Sequence, residues 1–263
     1  MSMRDIRLTF LGTGTSMGVP YIGCDCEVCR STDPRDDRMR ASALLDVGAT
    51  RLLIDAGPDF RRQMLGQAFR RLDGVLLTHI HYDHVGGIDD LRPFCQFGAI
   101  NVYADENTSR GLMRSIPYCF AEHRYPGAPS IHLHTIYAHR PLHIGEAEVM
   151  PVTVWHDSLP ILGYRVGRLA YITDMKTIDD GELQYLEGID TLVVNALRFG
   201  HNHHSHQNVE DAIAFARRLG ARRTYITHLS HGIGLHADSF ARLPEDVRLA
   251  YDGLTIEVDN VGS

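Results

Sequence analysis

The sequence predicts an α/β fold, read as one domain over residues 1–263 with two sheets and helices outside them. Three observations carry this. Short apolar runs rich in branched residues alternate with helical patterns, the second half repeats the theme of the first, and neither a linker nor a low-complexity tract separates the halves. At 44% hydrophobic and 22% charged residues the chain has the composition of a protein with a substantial buried core.

In chain order, strands are expected at Arg7–Phe10, Ala43–Val47 and Arg51–Ile54, followed by a helix at Asp59–Ala68 and a strand at Gly74–Leu77. A helical pattern at Gly87–Phe94, a strand at Asn101–Tyr103 and a helix at Glu106–Ser115 complete the first half. His132 and His134 alternate along a further strand and are expected to face solvent. Strands at Val149–Val154, Leu162–Val166 and Leu169–Ile172 then lead to a helix at Asp180–Leu186 and a strand at Thr191–Val194. The amphipathic run Val209–Leu219 has Asn208 in place to cap its start and Gly220 to stop it, and strands at Arg223–Ile226 and Thr255–Val258 close the pattern. Gly12-Thr-Gly14-Thr-Ser-Met-Gly18 follows the first strand, but the spacing is not that of a dinucleotide fingerprint and no helix follows, so it reads as a tight turn.

Lys plus Arg number 26 against 33 Asp plus Glu, a net charge of −7, which is the wrong sign for a general polyanion binder and speaks against nucleic acid; basic patches at Arg35–Arg40 and Arg217–Arg223 are local. The N-terminal MSMRDIRLTFLG lacks the apolar run of a secretion signal and nowhere do 18 apolar residues occur together, so no membrane association is expected and the cytoplasm is the expected compartment. In that reducing setting, clustered cysteines read as metal ligands or redox groups. Three of the five cysteines lie in Gly23-Cys24-Asp25-Cys26-Glu27-Val28-Cys29, while Cys95 and Cys119 stand apart.

Histidines number 16 and they bunch. The densest group is Thr78-His79-Ile80-His81-Tyr82-Asp83-His84-Val85-Gly86-Gly87, directly after a predicted strand. Imidazole and carboxylate are ligands that borderline divalent metals accept, and four of them within six residues at a strand end converge in space. This H-x-H-x-D-H segment resembles the signature of the metallo-β-lactamase superfamily of hydrolases, which implies a four-layer αββα sandwich with a two-metal site at one edge. Followed residue by residue, the resemblance implies His79, His81 and His156 for one metal, Asp83, His84 and His228 for the other, and Asp174 between them. Asp55 resembles the family's outer carboxylate that orients a ligand histidine, and a turn aspartate before Gly57 is the alternative.

His206 stands just before the Val209–Leu219 helix, in place to donate a proton to a leaving oxygen or to hold a phosphate oxygen; His201, His203 and His204 read as loop residues. The trio Cys24, Cys26 and Cys29 supplies three ligands of a tetrahedral zinc site, and His231, three residues after His228, is the candidate fourth. The redox alternative lacks the helix that should open at Cys26.

FLGTGTSMGVP before the cysteines, THLSH, and the closing YDGLTIEV make the chain similar, over nearly its whole length, to the PhnP-type phosphodiesterases of that superfamily, which act on phosphoribosyl 1,2-cyclic phosphate. The resemblance implies hydrolysis of a small, cyclic or linear, phosphodiester by a hydroxide bridging two divalent ions, Zn2+ or Mn2+, with Asp83, Asp174 and His206 in catalytic roles and one structural Zn2+. The alternatives are a tRNA 3′-processing endonuclease, whose basic Gly/Pro-rich arm is not visible here, a lactone or thioester hydrolase, and a non-enzymatic metal-binding module. Homodimeric assembly stays open. Pocket shape is expected to depend on Cys95–Pro129, which carries no readable substrate signal.

Overall fold

A computed structural model describes residues 5–121 and 127–258. The first half carries β1 (Ile6–Gly12), β2 (Ser42–Val47), β3 (Thr50–Ile54), α1 (Phe60–Leu65), β4 (Gly74–Leu76), α2 (Tyr82–Val85), β5 (Ile100–Ala104), α3 (Glu106–Ser115) and β6 (Ile131–Thr135). The second carries β7 (Leu142–Ile144), β8 (Ala147–His156), β9 (Leu159–Val166), β10 (Leu169–Ile172), β11 (Thr191–Asn195), α4 (Val209–Leu219), β12 (Arg223–Thr227), α5 (His236–Phe240), β13 (Val247–Leu249) and β14 (Thr255–Val258).

Among the described residues these strands form two seven-stranded sheets, ordered β14-β1-β2-β3-β4-β5-β6 and β13-β12-β11-β10-β9-β8-β7. Each is built the same way: a run of antiparallel hairpins (β1 to β3, β7 to β10) continues into a parallel half (β3 to β6, β10 to β13). Parallel neighbours need crossovers, and the crossovers lay helical segments over the outer faces.

The layers follow from period-two alternation in strands buried on both sides. Leu8 and Phe10 of β1, Leu45 of β2 and Leu52 and Ile54 of β3 point between the sheets, where they meet Tyr164, Tyr171 and Val193 of the second sheet. Their neighbours Leu11, Leu44 and Leu53 pack outward under Phe60, Ile88 and Leu112. On the far side Ala170, Ile172 and Val194 pack outward under Val209, Ala212 and Phe215 of α4. The result is the αββα sandwich that the sequence predicts.

Several expected elements take a different form. The pattern at Gly87–Phe94 folds as a 3-10 run over Ile88–Phe97, because Pro93 inside it lacks the N–H of an α-helical ladder. Asp180–Leu186 is likewise 3-10, and α1 stops at Leu65 because Gly66 follows it. β7 and β13 are three residues each, too short for periodicity to reveal, and α2 and α5 are single turns. His132 and His134 lie on β6 and are exposed, as expected; His134 Nε2 is 2.9 Å from Asn101 Oδ1. Cys95–Pro129, expected to shape the pocket, includes residues 122–126, which lie outside the described residues. Among the described residues no helix is long and apolar enough to cross a membrane.

Candidate metal centre

Seven side chains meet where strands of both sheets end. His79 and His81 follow β4, His156 ends β8, Asp174 follows β10 and His228 follows β12. The crevice beyond the strands' C-terminal ends is where open α/β sheets present ligands. Asp83 and His84 come from the single turn of α2, which buries both while leaving Tyr82 71% exposed. This turn sits against the loop after β3: Ala56 N–H donates to the His84 carbonyl at 2.8 Å, and a Cβ on Gly57 would lie 2.0 Å from the Asp83 carbonyl oxygen. Only glycine at 57 allows so close an approach.

Asp174 is the hub. His228 Nε2 lies 3.0 Å from its Oδ1, and His84 Nε2, His206 Nε2 and His79 Nε2 lie 3.3, 3.5 and 3.7 Å from its Oδ2. Asp83 Oδ2 is 3.2 Å from His84 Nε2 and 3.5 Å from His228 Nε2. His79 Nε2 and His81 Nδ1 are 2.9 Å apart, and the His156 ring lies 5.1 Å from that of His81. Asp55, Asp174 and His228 all adopt left-handed backbone, with φ of 60°, 60° and 56°. Such strain in non-glycine residues persists where the surroundings over-determine it, and it gathers at functional sites.

The donor set fits divalent cations. His84 Nε2, His206 Nε2 and both ring nitrogens of His228 are buried with no hydrogen-bond partner, although carboxylate oxygens lie 3.0 to 3.5 Å from the Nε2 atoms. Donors that converge on a shared ion, rather than on one another, stand in this relation: ligands about 2.1 Å from a tetrahedral ion are about 3.4 Å apart. Two groups of donors share Asp174, one containing Asp83, His84 and His228, the other His79 and His81. A further group joins His156 and His206 to the same carboxylate.

Outer contacts orient these rings. Asp55, fully buried, accepts from His84 Nδ1 at 2.7 Å, from Thr78 N at 2.8 Å and from Thr78 Oγ1 at 2.9 Å. Because a carboxylate only accepts, the proton of a neutral His84 ring sits on Nδ1, which leaves Nε2 its lone pair for a metal. Asp55 thus takes the place of the outer carboxylate and not merely of a turn residue. His156 Nδ1 donates to the Asp174 carbonyl at 2.7 Å. Asn195, a residue absent from the sequence reading, clamps the chain just after Asp174: its side chain accepts from Met175 N at 2.7 Å and donates to Met175 O at 3.0 Å. Its one signal in the sequence is an amide ending an otherwise apolar strand.

Burial alone would raise the Asp174 carboxyl, but the charges of His228 and His84 reverse this and keep it ionised. Asp83 is held well below the carboxylate range for the same reason, burial being overcome by His84 and His228. Burial, reinforced by His84, keeps His79 neutral. His206 is pushed down to about 4, again by burial first, against the opposing pull of Asp174.

The cysteine trio has its fourth partner. Sγ of Cys24, Cys26 and Cys29 lie 3.3, 3.5 and 3.4 Å from His231 Nδ1. Tetrahedral zinc with thiolate and imidazole ligands spaces sulfur and nitrogen about 3.5 Å apart. The Cys29 backbone N–H lowers Cys26 to about 6, while burial and the Cys26 charge raise Cys29 to about 11, so one thiolate opposes another beside it unless a cation offsets the charge. The glycine-rich turn after β1 supports this corner: Leu229, between His228 and His231, donates to Thr13 O at 2.8 Å and accepts from Thr15 N at 3.0 Å. Cys95 and Cys119 lie elsewhere, Cys119 within the outer core of the first sheet. Of the remaining loop histidines, His203 lies beside His206, with Nδ1 atoms 3.3 Å apart, and His201 and His204 are exposed. A cleft of about 1040 Å³ lined by Arg35, Arg223, Arg248 and Tyr251 contains none of these donors.

The family model described as "Beta-lactamase superfamily domain" matches residues 50–229. An octanoyltransferase of Porphyromonas gingivalis is 42% identical over 258 residues, which are 98% of this chain and 52% of that protein, so the chain spans about half the length of this relative. A ribonuclease Z of Bradyrhizobium sp. is 41% identical over 87 residues, 32% of this chain and 24% of that protein. Among solved structures, a diphosphatase from the PhnP family superposes with a TM-score of 0.90 at 38% identity, covering 97% of this chain and 98% of that one. Zn2+-bound PqqB from Methylobacterium extorquens shares the fold, with a TM-score of 0.76 at 20% identity over 95% of this chain and 99% of that one.

Proposed function

The chain belongs to the beta-lactamase superfamily and resembles its PhnP family over nearly its whole length, and we propose that it is a phosphodiesterase acting on a small phosphodiester, cyclic esters included. The observation that carries the reading is the shared carboxylate: Asp174 belongs to one donor group with His79 and His81 and to another with Asp83, His84 and His228. The PhnP-family diphosphatase supports phosphoryl chemistry on this scaffold.

We assign two divalent ions, Zn2+ or Mn2+, to the centre, with His79, His81 and His156 on one, Asp83, His84 and His228 on the other and Asp174 shared, and one structural Zn2+ to Cys24, Cys26, Cys29 and His231. Divalent ions held there activate water at neutral pH and offset charge on the phosphoryl oxygens. The chain's own groups do the rest. Asp83, ionised and close to His84 and His228, is placed to orient the attacking water. Asp55 keeps the His84 proton on the nitrogen facing away from the centre. His206, 3.5 Å from Asp174 and neutral at pH 7 through burial, holds a phosphate oxygen through its Nε2–H, or donates a proton to the leaving oxygen once the charge of a bound phosphate has raised its pKa.

A second reading, acyl chemistry on a thioester or lactone, draws on the octanoyltransferase relative, but that name belongs to a protein of which this chain matches about half. The ribonuclease Z match is confined to about a third of the chain. A panel of cyclic phosphates, linear diesters, a precursor tRNA, a lactone and an octanoyl thioester, assayed with the metal-loaded chain, tests the proposal. Turnover confined to the phosphodiesters is the expected result, and turnover confined to the acyl substrates or to the tRNA refutes it.

A further inference from the structure

In the second sheet β10, β11 and β12 lie side by side and parallel, with β11 in the middle. The outer two lead into proposed ligands, β10 into Asp174 and β12 into His228. The middle strand ends instead in Asn195, an amide that is completely buried. This residue reaches both neighbours. Its side chain closes on Met175, accepting from the backbone N–H at 2.7 Å and donating to the carbonyl at 3.0 Å. Its backbone is in register with Thr227, and the next residue, Ala196, donates to the Thr227 carbonyl at 3.0 Å. One residue therefore ties the position after Asp174 to the position before His228, whose Nε2 lies 3.0 Å from Asp174 Oδ1.

The tie acts on backbone that does not favour its own shape. Asp174 and His228 both stand in the left-handed region, with φ of 60° and 56°, which surrounding contacts must impose on residues with a Cβ. Toward β8 those contacts are His156 Nδ1 on the Asp174 carbonyl at 2.7 Å and Lys176 N–H on the Trp155 carbonyl at 2.7 Å. The Thr173 hydroxyl adds a bond to Asp174 Oδ1 at 3.0 Å. Toward β11 the two bonds of the Asn195 amide complete the set. An amide is the side-chain group that accepts and donates at once without a charge, so it alone satisfies both backbone groups of Met175 in a site where an ion would be costly.

We propose that Asn195 is a positioning residue of the metal centre: by fixing Asp174 against His228 it sets the separation of the two ions that share Asp174. This rests on the two-ion assignment made above and adds a residue that touches neither ion. Asp174 belongs to both groups of donors, so the loss of Asn195 weakens both ions together. Loss of the Asp55 carboxylate acts through His84 and weakens the one ion that His84 holds.

Asn195→Leu keeps the shape of the side chain and leaves the N–H and C=O of Met175 buried and unpaired. The protein stripped of its exchangeable ions is titrated with Mn2+ well below the melting temperature of each variant, and electron paramagnetic resonance reads both dissociation constants and the exchange coupling between the ions. In Asn195→Leu both constants are expected to rise about tenfold or more and the coupling to change, whereas Asp55→Asn raises one constant. A lowered melting temperature with constants and coupling like those of the wild type would make Asn195 merely structural and overturn the proposal, as would a rise confined to one ion. If the wild type takes up a single ion at the centre, the two-ion assignment falls, and Asn195 is judged on that ion, whose constant must still rise about tenfold. Asn195→Asp decides the matter if Asn195→Leu does not fold. Its neutral carboxyl can serve both groups of Met175, while its ionised form repels the carbonyl, so its constants are expected to approach those of the wild type as pH falls from about 8 to about 6. Constants that approach the wild type as pH rises would show attraction of the new charge to the ions, not positioning, and overturn the proposal.

Discussion

Replacing Asp55 by Asn is the sharpest perturbation of the centre that leaves every proposed ligand in place. Asp55 is completely buried and accepts from His84 Nδ1 at 2.7 Å and from both donors of Thr78. Asn has the same shape and tolerates the φ of 60° found there, so the fold is expected to survive. What changes is the direction of a hydrogen bond. The Asn carbonyl can still accept from Thr78 N, but the NH2 then faces His84 Nδ1, which must become an acceptor. Its proton moves to Nε2, the atom 3.2 Å from Asp83 and 3.3 Å from Asp174, where the lone pair for a metal is needed. Loss of such an outer partner costs about 10- to 100-fold in metal affinity, about 1.4–2.7 kcal/mol. Competition against a chromogenic chelator at neutral pH measures this directly, and the melting temperature of the metal-free protein checks the fold. Asp55→Ala serves as the contrast: it leaves three buried donors without an acceptor, at about 1–3 kcal/mol each, and is expected to lower the metal-free melting temperature as well. If folded Asp55→Asn binds zinc within about twofold of the wild type, the assignment of Asp55 as the group that sets the His84 tautomer is wrong.

Metal analysis of the wild type is expected to find about two exchangeable ions and about one tightly held zinc per chain, with Cys24→Ser losing the zinc alone; a wild-type stoichiometry near one contradicts this. His206→Ala is expected to keep its metals and to lose turnover, by about tenfold on bis(p-nitrophenyl) phosphate, whose leaving oxygen needs little protonation, and by about 10²-fold on an alkyl ester. Unchanged turnover on both would remove His206 from the chemistry. His236, buried and accepting from the buried Arg38 at 3.2 Å, is lowered to about 4 by burial first and then by Arg38 and Arg35. Below an ordinary histidine value near 6.5 the unfolded chain takes up a proton that the folded chain refuses. Stability is therefore complete above about pH 6.5 and falls as pH drops toward about 4, by up to about 3 kcal/mol. Urea titrations across that window should show the loss in the wild type and a flatter profile in His236→Gln, and parallel profiles would show that another group is responsible.

The H-x-H-x-D-H segment and the alternation of apolar runs were enough to announce the fold, because both are local. Each strand declares itself through period two, and four imidazole and carboxylate side chains within six positions need no tertiary context to converge. His156, Asp174 and His228 were legible only through the resemblance to the superfamily, each standing after a predicted strand; taken singly, a polar residue ending an apolar run is more often a surface or capping residue. Cys24, Cys26 and Cys29 announced a site with one ligand missing, and His231 could be named because it shares a turn with His228. β7, β13 and α2, three or four residues each, stayed hidden, since Leu-His-Ile, Val-Arg-Leu and Tyr-Asp-His-Val show neither an unbroken apolar run nor a full period.

Tertiary structure alone decided relations between residues distant in the chain. The direction of the bond from His84 to Asp55 depends on β3 and α2 lying against each other, which in turn depends on Gly57 having no side chain. The same holds for the amide of Asn195 behind Asp174. Residue type and spacing along the chain determine which chemistry is available. Which proton sits where, and which charge is left without a partner, depend on burial and angle, and those exist only once the two sheets have closed on each other.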